Sequence, residues 1–257
     1  MIHSITQRFQ INIKCNHFSI VYLLLLVLVF IIPINSKAES EDTVKVLDLD
    51  LQTLSILNTE IKAQIYNIFL KGFMEKSEGD FDAAIKTFQQ GIDMDTTEPR
   101  FYREIAECAY IMSDLKTARE YALLSSQLDP DSPKVHLLLG TIYARQNNPR
   151  TSISELTTSL SLDSSSDDAE ALLGEEYMRL GELDNAIQHY ENAVRLDPSD
   201  VLSHLQLGNL YSQKKEYDQA ADHFKTVTRL APRHVLAYVN LGWSLELSGK
   251  EKEAETT

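Results

Sequence analysis

A spacing of 34 residues constrains this chain more than any other feature. Leu139-Gly140, Leu173-Gly174, Leu207-Gly208 and Leu241-Gly242 recur at that interval, as do Tyr143, Tyr177 and Tyr211, then Ala186 and Ala220, then Pro198 and Pro232. The same phase picks out Ala118 and Pro130, and before them Gly72, Gly79, Ala84 and Phe88. A period that holds without slipping requires one supersecondary unit stacked many times, each copy covering the apolar face of the one before it. The units run 65–98, 99–132, 133–166, 167–200, 201–234 and 235–257, the last incomplete.

The residue types at those offsets suit a pair of antiparallel helices. Gly174, Gly208, Gly242, Ala186 and Ala220 are small where two helices must approach closely, while Tyr177, Tyr211, Tyr190 and Phe224 fill the space beside them. Gly181 and Gly249 suit a left-handed turn after a first helix, and Pro130, Pro198 and Pro232 stop a second one. The segment Asp167–Asp200 carries the full set of these features and resembles the tetratricopeptide repeat. That resemblance implies an all-α, right-handed α-solenoid of helix–turn–helix repeats.

Two units depart from the pattern. Unit 99–132 has Ile105-Ala106 and Ala109 where Leu-Gly and Tyr are usual, and unit 133–166 has Ser152, Leu156, Ser159 and Ser164 at the usual Ala, aromatic, Ala and Pro positions. Looser helix pairing is expected there.

Residues 1–17 carry Arg8 and Lys14, and Phe18–Ile34 follows without a charge. Those 17 residues would rise about 26 Å as a helix, short of a hydrocarbon core of ~30 Å. The stretch reads as an export signal over residues 1–38, with Ser36 and Ala38 placing small residues before a cut after Ala38. An uncleaved anchor in the inner membrane over residues 18–34 is the alternative, and either puts the repeats outside the cytoplasm, in the periplasm of a bacterium. Residues 39–49 read as an acidic linker. Leu51, Leu54, Leu57 and Ile61 then predict a helix over 50–64 that precedes the array, with Asn58-Thr59-Glu60 restarting it.

At the other end, the second helix of unit 235–257 is cut short, which leaves Trp243, Leu245 and Leu247 poorly covered. Two readings stand: a fragment of a longer chain, or an open end that docks a partner or a second copy.

The net charge is −14, and residues 1–38 hold Arg8, Lys14 and Lys37 but no acid, so the remainder carries −17. Such a body repels nucleic acid and anionic lipid. Cys15 and Cys108 form no disulfide framework, and Cys108 reads as a buried thiol. His136 and His204 share one repeat position, and His189 and His223 another, but neighbours a repeat apart lie roughly 10 Å from each other, too far to share a metal. No phosphate loop, HExxH or Gly-X-Ser-X-Gly is present, and Ser161–Asp168 lacks the glycine and terminal glutamate of a calcium loop. Neither an enzyme, a cofactor nor a metal is expected.

The resemblance implies that first helices line a concave groove holding a peptide or partner protein. Carried over residue by residue, the groove positions are Arg100, Arg103, Glu107, Tyr110, Lys134, Thr141 and Arg145, then Glu175, Arg179, Gln206, Asn209, Gln213, Asn240 and Trp243. The five cations Arg100, Arg103, Lys134, Arg145 and Arg179 suit an acidic or C-terminal carboxylate segment, unless Glu107 and Glu175 neutralise them. The family's carboxylate clamp, which pairs Lys with Asn on one helix, is lacking: Arg103 and Glu107, or Leu205 and Asn209, stand there. The expected function is an exported, non-enzymatic protein-binding scaffold; the alternative is the leading periplasmic portion of a larger envelope assembly that exports polysaccharide or protein.

Overall fold

The computed structural model describes residues 41–254, with side chains from residue 56 onward; the export signal expected over residues 1–38 lies outside the described residues. Twelve helices and no strand form among the described residues. α1 (Glu41–Ser77) is followed by five first helices, α3 (Pro99–Ile111), α5 (Pro133–Arg145), α7 (Asp167–Leu180), α9 (Val201–Gln213) and α11 (Val235–Leu247). The second helices are α2 (Phe81–Met94), α4 (Leu115–Leu128), α6 (Pro149–Leu162), α8 (Leu183–Leu196), α10 (Tyr217–Leu230) and α12 (Glu251–Ala254). Within both series the first residues are 34 apart. None of these helices is long and apolar enough to cross a membrane.

α1 corrects one expectation. The acidic stretch 39–49 is helical from Glu41, and the separate helix expected over 50–64 is continuous with the first helix of unit 65–98. Neither glycine nor proline interrupts the chain between Glu41 and Lys71, so nothing breaks the helix at Asn58-Thr59-Glu60.

The hairpins close through the same few contacts. Phe88, Tyr190 and Phe224 are buried against Gly72, Gly174 and Gly208, whose missing Cβ atoms would fall 2.5, 2.8 and 2.6 Å from those rings. Asp80, Asp114 and Asn148, one period apart, cap the second helices α2, α4 and α6 by accepting from the amides of Ala83, Thr117 and Thr151. The turn between helices falls at Gly79, Ser113, Asn147, Gly181, Lys215 and Gly249, all with positive φ.

Unit 133–166 is not loosened by its serines. Ser152 donates to the Gly140 carbonyl at 2.8 Å and Ser159 to the Pro133 carbonyl at 2.9 Å, while Leu156 takes the aromatic position and is fully buried. The hydroxyls tie α6 to α5 where alanine would only pack.

The chain divides into two compact units, Met1–Cys108 and Ala109–Thr257. In the first, Phe69, Phe88 and Phe101 form a triangle of rings with centroids 5.9, 5.9 and 6.2 Å apart. In the second, the core runs from α8 to α11 through Ile187, Leu207, Leu210, Phe224 and Leu241.

Candidate functional site

The groove positions expected in the first unit hold cations that are already engaged. Arg100 donates from Nε and a terminal nitrogen to the Glu98 carboxylate at 2.8 and 2.9 Å and lies over the Phe69 ring. Arg103 donates to Glu104 at 2.9 Å and pairs with Glu107 at 3.5 Å. Lys76 bonds both Glu104, at 2.6 Å, and Glu107. Burial alone would raise the Glu104 carboxyl, but the hydrogen bonds from Lys76 and Arg103 outweigh it and hold it below the usual carboxylate value. Cys108, beside this cluster, is buried and its thiol is pushed up to about 11 by that burial, so it is not a thiolate nucleophile.

In the second unit, Arg145 is exposed and lies over the Tyr110 ring at 5.0 Å. Arg179 donates to the Ala144 carbonyl and to Glu175, both at 3.0 Å. Lys134, Asn209, Gln213 and Trp243 are exposed, and the Asn240 carbonyl accepts from Ser244. The neutralisation of Arg103 by Glu107 and of Arg179 by Glu175 is therefore the arrangement present.

Three of the groove positions come together elsewhere. Thr141, Glu175 and Gln206, on the first helices α5, α7 and α9, line one cavity of about 510 Å³. Leu137, Ala171, Leu172 and Leu202 give it apolar walls, and Tyr190 reaches it from α8. Its remaining lining is acidic: Asp167 and Asp168 open α7, Asp197 ends α8, and Asp200 caps α9 by accepting from the Leu202 amide. The Asp168 carboxyl is raised, first by burial and then by the charges of Asp167 and Asp200. Ser203, also on the wall, is fully buried, and its hydroxyl has no hydrogen-bond partner. Among the described residues, no Lys, Arg or His lines this cavity.

Sequence reasoning met Asp167 and Asp168 only within the rejected calcium-loop segment Ser161–Asp168 and did not single out Asp197, Asp200 or Ser203. The aspartates sit at repeat junctions, in SSSDDAE and LDPSD, where acids first read as caps and solvated turns. The legible signal was Leu137 and Ala171, one turn before Thr141 and Glu175 on the same helix faces.

The two recurrent histidine positions resolve into pairs across hairpins. His136 Nδ1 meets Glu155 at 2.7 Å, His189 Nδ1 meets Glu170 at 2.6 Å, and His204 Nδ1 meets His223 Nδ1 at 3.0 Å. Among the described residues no three His, Cys, Asp or Glu side chains converge to hold a metal ion.

Comparison with known proteins places this geometry. A family profile described as "TPR repeat" matches residues 174–215, and one described as "Tetratricopeptide repeat" matches residues 76–133 and 205–257. No curated protein matches the chain. Among solved structures, PilF of Pseudomonas aeruginosa is similar over 77% of this chain and 90% of its own, at 13% identity and a TM-score of 0.68. MamA of Desulfovibrio magneticus RS-1 is similar over 66% of this chain and 96% of its own, at 18% identity and a TM-score of 0.60. YrrB, described as a TPR protein with an unusual peptide-binding site, is similar over 66% of this chain and 88% of its own, at 16% identity and a TM-score of 0.56. At these identities the likeness is one of fold, and with the helical hairpins recurring every 34 residues and the two profile matches, the chain belongs to the tetratricopeptide-repeat family.

Proposed function

We propose that this protein is an exported, non-enzymatic scaffold that holds a partner polypeptide against the inner faces of its first helices. The observation that carries the reading is the cavity of about 510 Å³ to which α5, α7 and α9 each contribute a wall. Its size lies in the range of binding pockets, and it mixes apolar walls with a few polar groups. Repeats of this family act as protein-interaction surfaces, and the peptide-binding site in the description of YrrB lends support to a peptide as the occupant. Residues 1–38, with two early cations ahead of an uncharged apolar run, support export.

Two measurements test the proposal. The N-terminus of the protein in its own cells, read by mass spectrometry, should begin at Glu39 with the chain outside the cytoplasm. An intact N-terminus in the membrane fraction would favour the anchor, and an intact soluble cytoplasmic chain would overturn export. Ala171→Trp, which fills the cavity from one wall, should abolish in vivo cross-linking to a partner while leaving the helical signal intact; cross-links unchanged by the plug would move binding off this surface.

A further inference from the structure

We propose that the cavity between α5, α7 and α9 receives the cationic side chain of a lysine or arginine from an extended basic segment of the partner protein. The inference rests on reading the inner face as the partner-binding surface and adds the chemistry of what binds.

The argument begins with charge. Five carboxylates line the cavity, and among the described residues only Glu175 forms an ion pair with a Lys or Arg, with Arg179 at 3.0 Å. Asp200 accepts the Leu202 amide and Asp197 accepts the amide and hydroxyl of Ser199, yet each carboxylate keeps further lone pairs. Partial desolvation and then the charges of Asp167 and Asp200 raise the carboxyl of Asp168, which stays exposed to solvent, so negative charge is crowded at this site. An anionic ligand would worsen that crowding; an organic cation would relieve it.

A second observation is independent of the acids. Ser203 lines the cavity, and its buried hydroxyl has no hydrogen-bond partner among the described residues, although buried hydroxyls are nearly always bonded. A guanidinium or ammonium carries several N–H donors and no acceptor, so one group could serve the carboxylates, and would also serve this oxygen once rotation of the Ser203 side chain turns it from its buried position toward the cavity. The apolar walls from Leu137, Leu172 and Leu202 suit the methylene stem of such a side chain, whose charged head would meet the aspartates. Arg100, Arg103 and Arg179 are each paired with a glutamate, and Arg145 lies over the Tyr110 ring; neither Arg145 nor Lys134 lines the acidic cavity.

The test uses the full chain in detergent and four fluorescein-labelled nonapeptide pools, whose central residue is Arg, Lys, Gln or Glu and whose flanks are randomised over Ala, Leu, Ser and Thr. Polarisation should show the Arg and Lys pools binding at least about tenfold tighter than Gln, with Glu weakest. Asp168→Asn with Asp200→Asn, which keeps a competent cap at 200, should remove that preference. Glu120→Gln with Asp131→Asn, an equal charge change at exposed sites away from the cavity, should preserve it. Ser203→Ala should weaken the Arg pool a few-fold yet leave the melting temperature unchanged or raised, since the free protein carries that hydroxyl unpaired. Gln or Glu pools bound as tightly as Arg, and blocked by Ala171→Trp, would overturn the basic partner while sparing the scaffold. Equal loss in both charge variants would reduce the effect to net charge and overturn the site. No binding by any pool would overturn both readings.

Discussion

His204 and His223 face each other across one hairpin with their Nδ1 atoms 3.0 Å apart. His204 Nε2 lies 3.2 Å from the Pro198 carbonyl, which can only accept, so Nε2 bears the proton and His204 Nδ1 accepts from His223. The preceding two hairpins place a glutamate against a histidine at the same positions, so this pair alone becomes a like-charge pair on protonation. Burial, then the neighbouring His204, lowers the pKa of His223 below 6.5, with Glu191 and Asp222 opposing. Below that value the unfolded chain binds a proton that the folded one resists, so stability falls as pH drops through the folded pKa. His223→Glu recreates the mixed pair and should flatten the decline in melting temperature between neutral and mildly acidic pH; an unchanged decline would place its cause elsewhere.

Glu176 has the opposite sign. It is fully buried, neither carboxylate oxygen has a hydrogen-bond partner, and its nearest cation is Arg179 at 3.5 Å. Burial raises its pKa, so the folded state holds the proton more tightly and stability falls as pH rises through the carboxylate range. One period away on either side stand the buried apolar residues Ile142 and Leu210. Glu176→Leu should therefore raise stability at neutral pH by about 1–3 kcal/mol. Thermal unfolding with and without the substitution checks it, and the gain should shrink as pH falls.

The hairpins were legible because their contacts recur in register: Gly174 with Tyr190 and Gly208 with Phe224 read directly from offsets of small and large residues. What escaped was chemistry that changes from unit to unit at constant geometry. Ser152 and Ser159 look like faults in the pattern until their hydroxyls meet two carbonyls. The cavity was half visible, through Thr141, Glu175 and Gln206, because the resemblance carries the family's groove positions onto them. Its aspartates come from turns, where an acid serves caps and solvent as readily as a site.

The turn residues show the same difference and give a third prediction. Gly79, Gly181 and Gly249 have φ of 85°, 77° and 78°, and the equivalent Lys215 has 62°. A side chain with a Cβ in that region costs roughly 1–2 kcal/mol, which glycine avoids. Lys215→Gly should thus stabilise the protein by ~1 kcal/mol despite the added freedom of its unfolded chain, whereas Gly181→Ala should destabilise it by a similar amount. Denaturant midpoints at unchanged slope would show this; a loss of stability on Lys215→Gly would refute the turn argument.

Gly208 and Gly242 share one repeat position and should respond oppositely to alanine. A Cβ on Gly208 would lie 2.6 Å from the Phe224 ring, which is itself buried and has no room to withdraw. Gly208→Ala is therefore expected to cost about 1–3 kcal/mol through overpacking. A Cβ on Gly242 meets nothing within 4 Å among the described residues, and the residue lies inside α11, where alanine is preferred over glycine by about 0.5–1 kcal/mol. Gly242→Ala should accordingly be neutral or stabilising. Equal destabilisation by both would mean that a second helix covers Gly242 as α10 covers Gly208, and that the small residue is needed for close approach in both places.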